Sequence, residues 1–168
     1  GYIPQKATLF SGTIESNLRY ADENATDSTI ENALEVSQAK EFVSKMPSGI
    51  EEPISQGGTN VSGGQKQRLS IARALVKNAD IYIFDDTFSA LDYHTDALLR
   101  EALNKMVKEK HSTVFIVAQR ISSIMHADKI IVLDQGKIVG NGTHAELMKN
   151  CPVYQEIAYS QLSKEELN

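Results

Sequence analysis

Short apolar runs alternate with longer stretches in which apolar residues recur every three or four positions. Residues 13–20, 27–39, 41–46, 62–77 and 95–108 carry the longer repeat and predict helices. In 62–77 the stripe is Leu69, Ala72, Leu75 and Val76. Residues 80–85 and 113–118 are short apolar runs of strand length, and Tyr2 and Ile3 read as the end of another strand. Thr26 or Asp27 is placed to cap the second helix, and Pro47, Ser48 and Gly49 end the third. Residues 50–60, with Pro53 and the Gly57-Gly58 pair, read as a loop. Asp134-Gln135-Gly136 between two apolar runs, 130–133 and 137–139, signals a hairpin, and the chain turns helical again from Thr143. Helices alternating with short strands predict an α/β architecture with a largely parallel sheet.

Length and composition narrow this picture. The chain has 168 residues, enough for one domain with a real core, and its 41% apolar and 23% charged residues are those of an ordinary globular protein. A net charge of −5 argues against nucleic acid as the main partner. The apolar runs fall far short of the roughly 18 residues a membrane-crossing helix needs. A start at Gly1, with no Met and no secretory signal, reads as a piece of a longer protein. Cys151 is the single cysteine, so an internal disulfide is excluded and a reducing compartment is consistent. His94, His111, His126 and His144 lack metal-ligand spacing and read as surface or capping residues. Tyr154 and Tyr159 read as packing residues of a terminal helix, and Lys164, Glu165 and Glu166 as a solvated tail.

Two stretches carry chemistry. Val61-Ser62-Gly63-Gly64-Gln65-Lys66-Gln67-Arg68 opens the 62–77 helix. Its glycines let a ligand approach the backbone, and the free N–H groups and positive dipole of a helix start favour phosphate. By itself the stretch is also compatible with a simple capped helix after a glycine-rich loop. Ile81-Tyr82-Ile83-Phe84-Asp85-Asp86 is an apolar strand ending in two carboxylates. In phosphate-transferring proteins such a strand delivers an aspartate to Mg²⁺, and the next acid positions the attacking water. By itself it is equally a solvated turn.

Together these stretches resemble the ATP-binding-cassette family. Val61 to Gln65 is similar to the family's signature motif, Phe84-Asp85 to the close of its Walker B strand, and Ser89-Ala90-Leu91-Asp92 to its D-loop. Tyr2-Ile3-Pro4-Gln5 with Leu9-Phe10, Thr13-Ile14 and Asn17 resembles the Q-loop region of the exporter branch. Gln119, in Ile116-Val117-Ala118-Gln119-Arg120-Ile121-Ser122-Ser123-Ile124, stands where the switch histidine belongs. Asp134 to Ile138 and Gly142 to Leu147 match the closing hairpin and helix. The resemblance implies part of a RecA-like P-loop NTPase core, with an inserted α-helical subdomain at about 12–60 and the signature helix and remaining α/β core at 61–168. It implies ATP and Mg²⁺ as cofactors, with Asp85 and Gln5 as metal ligands. Gln5, Ser62, Gly63, Gly64, Gln65 and Asp92 are the implied nucleotide contacts, and Asp86 and Gln119 the implied catalytic positions. It also implies a place on the cytoplasmic face of the cell membrane, with transmembrane domains docked on the helical subdomain.

Two departures shape the expected mechanism. The family's glutamate after the Walker B aspartate is Asp86, shorter by one carbon–carbon bond of ~1.5 Å, and misplacement by about 1 Å can lower a rate around a hundredfold. The switch histidine is Gln119, which hydrogen-bonds but carries neither histidine's proton nor its charge. Retention of Asp85 and of the signature beside these changes implies a degenerate site that holds ATP and turns it over slowly. Because each ATP in this family lies between the Walker motifs of one domain and the signature of another, Ser62 to Gln65 would complete a competent site on a second, different subunit. A Gly-x-x-x-x-Gly-Lys-Ser/Thr loop is absent from the sequence, and in the family it lies upstream of the Q-loop, so the chain alone is expected to bind ATP poorly and to be inactive. Two alternatives remain open: a domain that binds nucleotide only to dimerise, and a soluble cassette ATPase outside transport. The separation of 57 positions from Gln5 to Ser62, without sustained heptads, disfavours the long coiled-coil insertion of that soluble class.

Overall fold

In the computed structural model, which describes residues 1–162, the chain opens with a two-residue strand, β1 (Tyr2–Ile3). A second short strand, β2 (Gly12–Thr13), leads into α1 (Ile14–Arg19), whose start is closed by a reciprocal capping box between Thr13 and Ser16. Next comes α2 (Asp27–Val36), capped by Thr26 as the sequence allowed, and then α3 (Lys40–Ser44). The expected run to Ala39 is cut short: Gln38 takes φ +59°, leaving the helix, and Arg68 Nη1 donates to its carbonyl at 2.7 Å. The same guanidinium stacks over Phe42, 4.6 Å from the ring centroid.

Residues 50–60 are less loop-like than their composition suggests. Pro53–Ile54 forms a strand, β3, antiparallel to β2, between short 3₁₀ turns at Gly49–Glu51 and Gln56–Gly58. The long helix α4 (Gly63–Val76) follows, and Leu69, Ala72, Leu75 and Val76 are all buried, as the stripe predicts. Strand β4 (Ile81–Asp85) runs parallel to β1 on one side and to β5 (Thr113–Val117) on the other. Between β4 and β5 lies α5 (Tyr93–Lys110), which begins two residues before the expected start because Asp92 caps it by accepting from the Thr95 N–H.

One unit of the fold comprises Gly1–Val117. Its core gathers Ile3, Tyr82 and Phe84 from the sheet with Leu69, Ile71 and Leu75 from α4 and Leu99 and Leu103 from α5. Tyr82 and Phe84 point inward, whereas Tyr2, Ile81, Ile83, Phe115 and Val117 line the opposite, exposed face of the same sheet.

The second unit, Ala118–Asn168, is described to Leu162 and has its own core around Ile121, Ile130, Val132, Leu147 and Tyr154. The expected hairpin is present as β6 (Ile130–Asp134) and β7 (Lys137–Gly142), with Gln135 and Gly136 both at positive φ in the turn. Helices α6 (His144–Asn150) and α7 (Pro152–Gln161) close the unit. Cys151 lies between them, 3% exposed, and a Cβ built on Gly140 would come within 2.7 Å of its Sγ. Tyr154 is buried and its hydroxyl meets His144 Nδ1 at 2.7 Å, but Tyr159 is 61% exposed, which corrects the expectation that it packs. Lys164, Glu165 and Glu166 lie outside the described residues.

Candidate functional site

The α4 start is built by its own sequence. Ser62 adopts extended backbone and its Oγ accepts from the Gln65 N–H at 3.2 Å, while the Gln65 side-chain oxygen accepts from the Ser62 N–H at 3.0 Å. This leaves the N–H groups of Gly63 and Gly64, the first two helical residues, without a helical carbonyl to bond. Neither glycine has positive φ. A Cβ on Gly63 would meet nothing within 4 Å, and one on Gly64 only the Ala90 carbonyl at 3.8 Å, an ordinary contact. Among the described residues, no close contact therefore requires glycine at either position.

Helix α4 is also tied to the segment that carries Gln5. Arg73 Nη2 donates to the Thr8 carbonyl at 2.8 Å, and its guanidinium lies over Phe10. Asn17 fixes the same segment by exchanging hydrogen bonds of 2.8 and 2.9 Å with the Phe10 backbone. On the buried side of α4, Gln67 Nε2 and Ser70 Oγ have no hydrogen-bond partner among the described residues.

At the end of β4, the two carboxylates diverge. Asp85 is the last strand residue, and its Oδ2 accepts from the Tyr2 hydroxyl at 3.0 Å. That hydrogen bond holds the Tyr2 phenol above its ordinary pKa, because the proton is shared with a carboxylate. Asp86 leaves the strand at φ +44°, its N–H bonded to the Val117 carbonyl at 2.9 Å and its Oδ2 accepting from Gln5 Nε2 at 3.1 Å. A carboxylate only accepts, which orients the Gln5 amide with its nitrogen toward Asp86 and leaves its oxygen free. One oxygen of Asp85 and the carbonyl oxygen of Gln5 are thus available hard donors, the set that suits Mg²⁺. Among the described residues no cluster of three or more His, Cys, Asp or Glu side chains forms a metal site by itself.

Two expected residues remain. Asp92 caps α5, and the N–H of Thr95 holds its carboxyl below the usual carboxylate range. In the second unit, Gln119 is exposed, and its carbonyl accepts from Gln161 Nε2 at 2.8 Å. Tyr2 and Gln161 are the two polar residues that sequence reasoning missed. Tyr2 sat in a recognised segment, but only the parallel register Tyr2↔Ile83 sets its hydroxyl beside Asp85. Nothing in the helical pattern marks Gln161.

Comparison with known proteins adds a family and several relatives. The family model described as ABC transporter matches residues 1–89. An ABC transporter ATP-binding protein of Mycobacterium bovis is 48% identical over 164 residues, covering 96% of this chain and 28% of that protein. ABC transporter B family member 4 of Dictyostelium discoideum is 40% identical over 166 residues, covering 99% of this chain and 21% of that protein. The solved structure of a bacterial Atm1-family ABC exporter with ATP bound superposes with a TM-score of 0.92 at 34% identity, covering 98% of this chain and 29% of that one. The chain thus spans less than a third of the length of these relatives.

Proposed function

The chain belongs to the ABC transporter family, and from that premise we propose that it is part of the ATP-binding domain of an exporter whose own site is hydrolytically impaired. In this reading residues of about 12–60 form the helical subdomain that meets the transmembrane domains, and the domain works at the cytoplasmic face of the membrane. The observation that carries it is the glycine pair at the free start of α4. Glycine stands where no described residue would crowd a Cβ, beside two N–H groups without helical acceptors at the positive end of a helix. That arrangement suits the close approach of a phosphate held by another subunit.

On its own side, Asp85 and Gln5 would hold Mg²⁺ through the two free oxygens, with Tyr2 fixing the Asp85 carboxylate. When bound, Mg-ATP supplies the phosphoryl group, whose charge the metal neutralises. Asp86 has one methylene less than glutamate and is engaged by Gln5, so it is poorly placed to orient a water. Gln119 donates a hydrogen bond without histidine's charge. Asp92 anchors the loop that follows Ser89 by capping α5. The two sites of a homodimer would both be impaired, so the partner is a different subunit with intact hydrolytic groups.

The test is steady-state ATPase of the intact transporter with its partner, carrying Ser62→Ala or Asp86→Asn in this chain. Near-total loss with Ser62→Ala and little change with Asp86→Asn is expected. Equal, severe loss from both would make Asp86 a working base and end the degenerate-site reading.

A further inference from the structure

The loop carrying Gln119 is held from one side by the side chain of Gln161. Gln161, the last residue of α7, donates from Nε2 to the Gln119 carbonyl at 2.8 Å and accepts at Oε1 from the Ile121 N–H at 2.9 Å. One amide thus pairs with the backbone two residues apart, as the edge of a neighbouring strand would. The helix that presents it is fixed: Tyr154 and Ala158 are buried in the core of this unit, Leu162 packs against that core, and Ile121 is 3% exposed within it. The Gln119 side chain, by contrast, is exposed and makes no bond of its own among the described residues. What Gln161 fixes is the backbone from which that side chain extends.

We propose that Gln161 is a positioning residue, which sets the backbone at Gln119 and through it the hydrogen bond that Gln119 offers to bound nucleotide. The proposal rests on the reading of Gln119 as this chain's switch residue. It makes α7 part of the nucleotide machinery through the backbone at Gln119. Both bonds are needed for the effect: the accepting one pins Ile121 to the core, and the donating one fixes the peptide that carries Gln119.

The experiment uses the intact protein with its partner and four variants: Gln161→Ala, Gln161→Glu, Gln119→Ala and the double Gln161→Ala/Gln119→Ala. Amide hydrogen exchange reports the clamp directly. Loss of two hydrogen bonds should speed exchange at Ile121 by about tenfold or more in Gln161→Ala, with the amides of β6 and β7 unchanged. Gln161→Glu keeps the acceptor for Ile121 and loses the donor for Gln119, so Ile121 should stay protected. Release of a fluorescent ATP analogue from this chain's site in the presence of Mg²⁺ is the second readout. Gln161→Ala, Gln161→Glu and Gln119→Ala should each speed release by a similar factor, and the double variant should go no further, since both act through one contact. Multiplicative effects in the double variant, or release altered by Gln119→Ala alone, overturn the positioning role and leave the reading of Gln119 standing. Faster Ile121 exchange with release unchanged in every variant overturns the reading of Gln119 and the inference with it.

Discussion

The start of α4 and the end of β4 belong to the same unit and the same half of the fold, yet they are built in opposite ways. The start of α4 offers backbone: two N–H groups, two glycines and a capping box that closes on itself between Ser62 and Gln65. The end of β4 offers side chains, and each carboxylate is engaged by a residue of the Tyr2–Gln5 segment. A backbone donor depends little on neighbouring side chains, whereas a side-chain base is sensitive to misplacement by about 1 Å. A chain can therefore lose the catalytic use of its own carboxylate and still present an undamaged helix start to a partner. That asymmetry is what a division of labour between two unlike subunits requires.

The sharpest way to break this comparison is to crowd the helix start. Gly64→Ala would add a Cβ that meets only the Ala90 carbonyl, at 3.8 Å, so unfolding should be little changed. ATPase of the intact transporter should fall by about a hundredfold, because an approach displaced by about 1 Å has that effect. Normal ATPase in this variant would remove the argument from the glycines.

A second test rebuilds the side-chain end. Asp86→Glu with Gln119→His should raise turnover at this chain's site by ~10²-fold, the scale of one well-placed acid–base group, measured with the partner's own site disabled. Either single change should recover less. No gain from the pair would end the degenerate-site reading.

A smaller effect concerns the buried side of α4. Gln67 is 2% exposed and its Nε2 lacks a partner among the described residues, which lowers stability, so Gln67→Met should stabilise the fold by ~1 kcal/mol and raise the melting temperature by about 2–4 °C. Destabilisation instead would show that the amide is satisfied in the assembled protein.

The smallest effect is in acid. Asp92 binds its proton less readily folded than unfolded, because the Thr95 N–H favours the carboxylate. Its contribution is complete above the ordinary carboxylate pKa of about 4 and fades as pH falls through the lower folded value. Asp92→Asn should flatten that acid limb of the thermal-unfolding profile and leave pH 6–8 unaltered.

Much of this was legible because local rules decide it. The stripe Leu69, Ala72, Leu75 and Val76 has helical spacing, the Ser62–Gln65 cap lies within four residues, and the Gln135-Gly136 turn announces its own hairpin. The failures involve partners distant in sequence, or a face the pattern did not mark. Pro53–Ile54 is a strand because β2 lies beside it, about forty residues earlier in the chain. Residue 38 ends α2 where Arg68 reaches its carbonyl. Tyr154 and Tyr159 are five residues apart, about 140° round a helix, so one faces the core and the other solvent. Tyr2 meets Asp85 only after β1 and β4 have paired.

The burial of Cys151 has a practical side. Its thiol sits against Gly140 and beneath the α6–α7 junction, closed to maleimides and to oxidants alike. A cysteine introduced at an exposed position of this chain, such as Ser122 beside the Gln119 loop, would then be labelled without competition from Cys151. A fluorophore or spin label placed there could follow the loop through a nucleotide cycle without first stripping the native sulfur from the sequence.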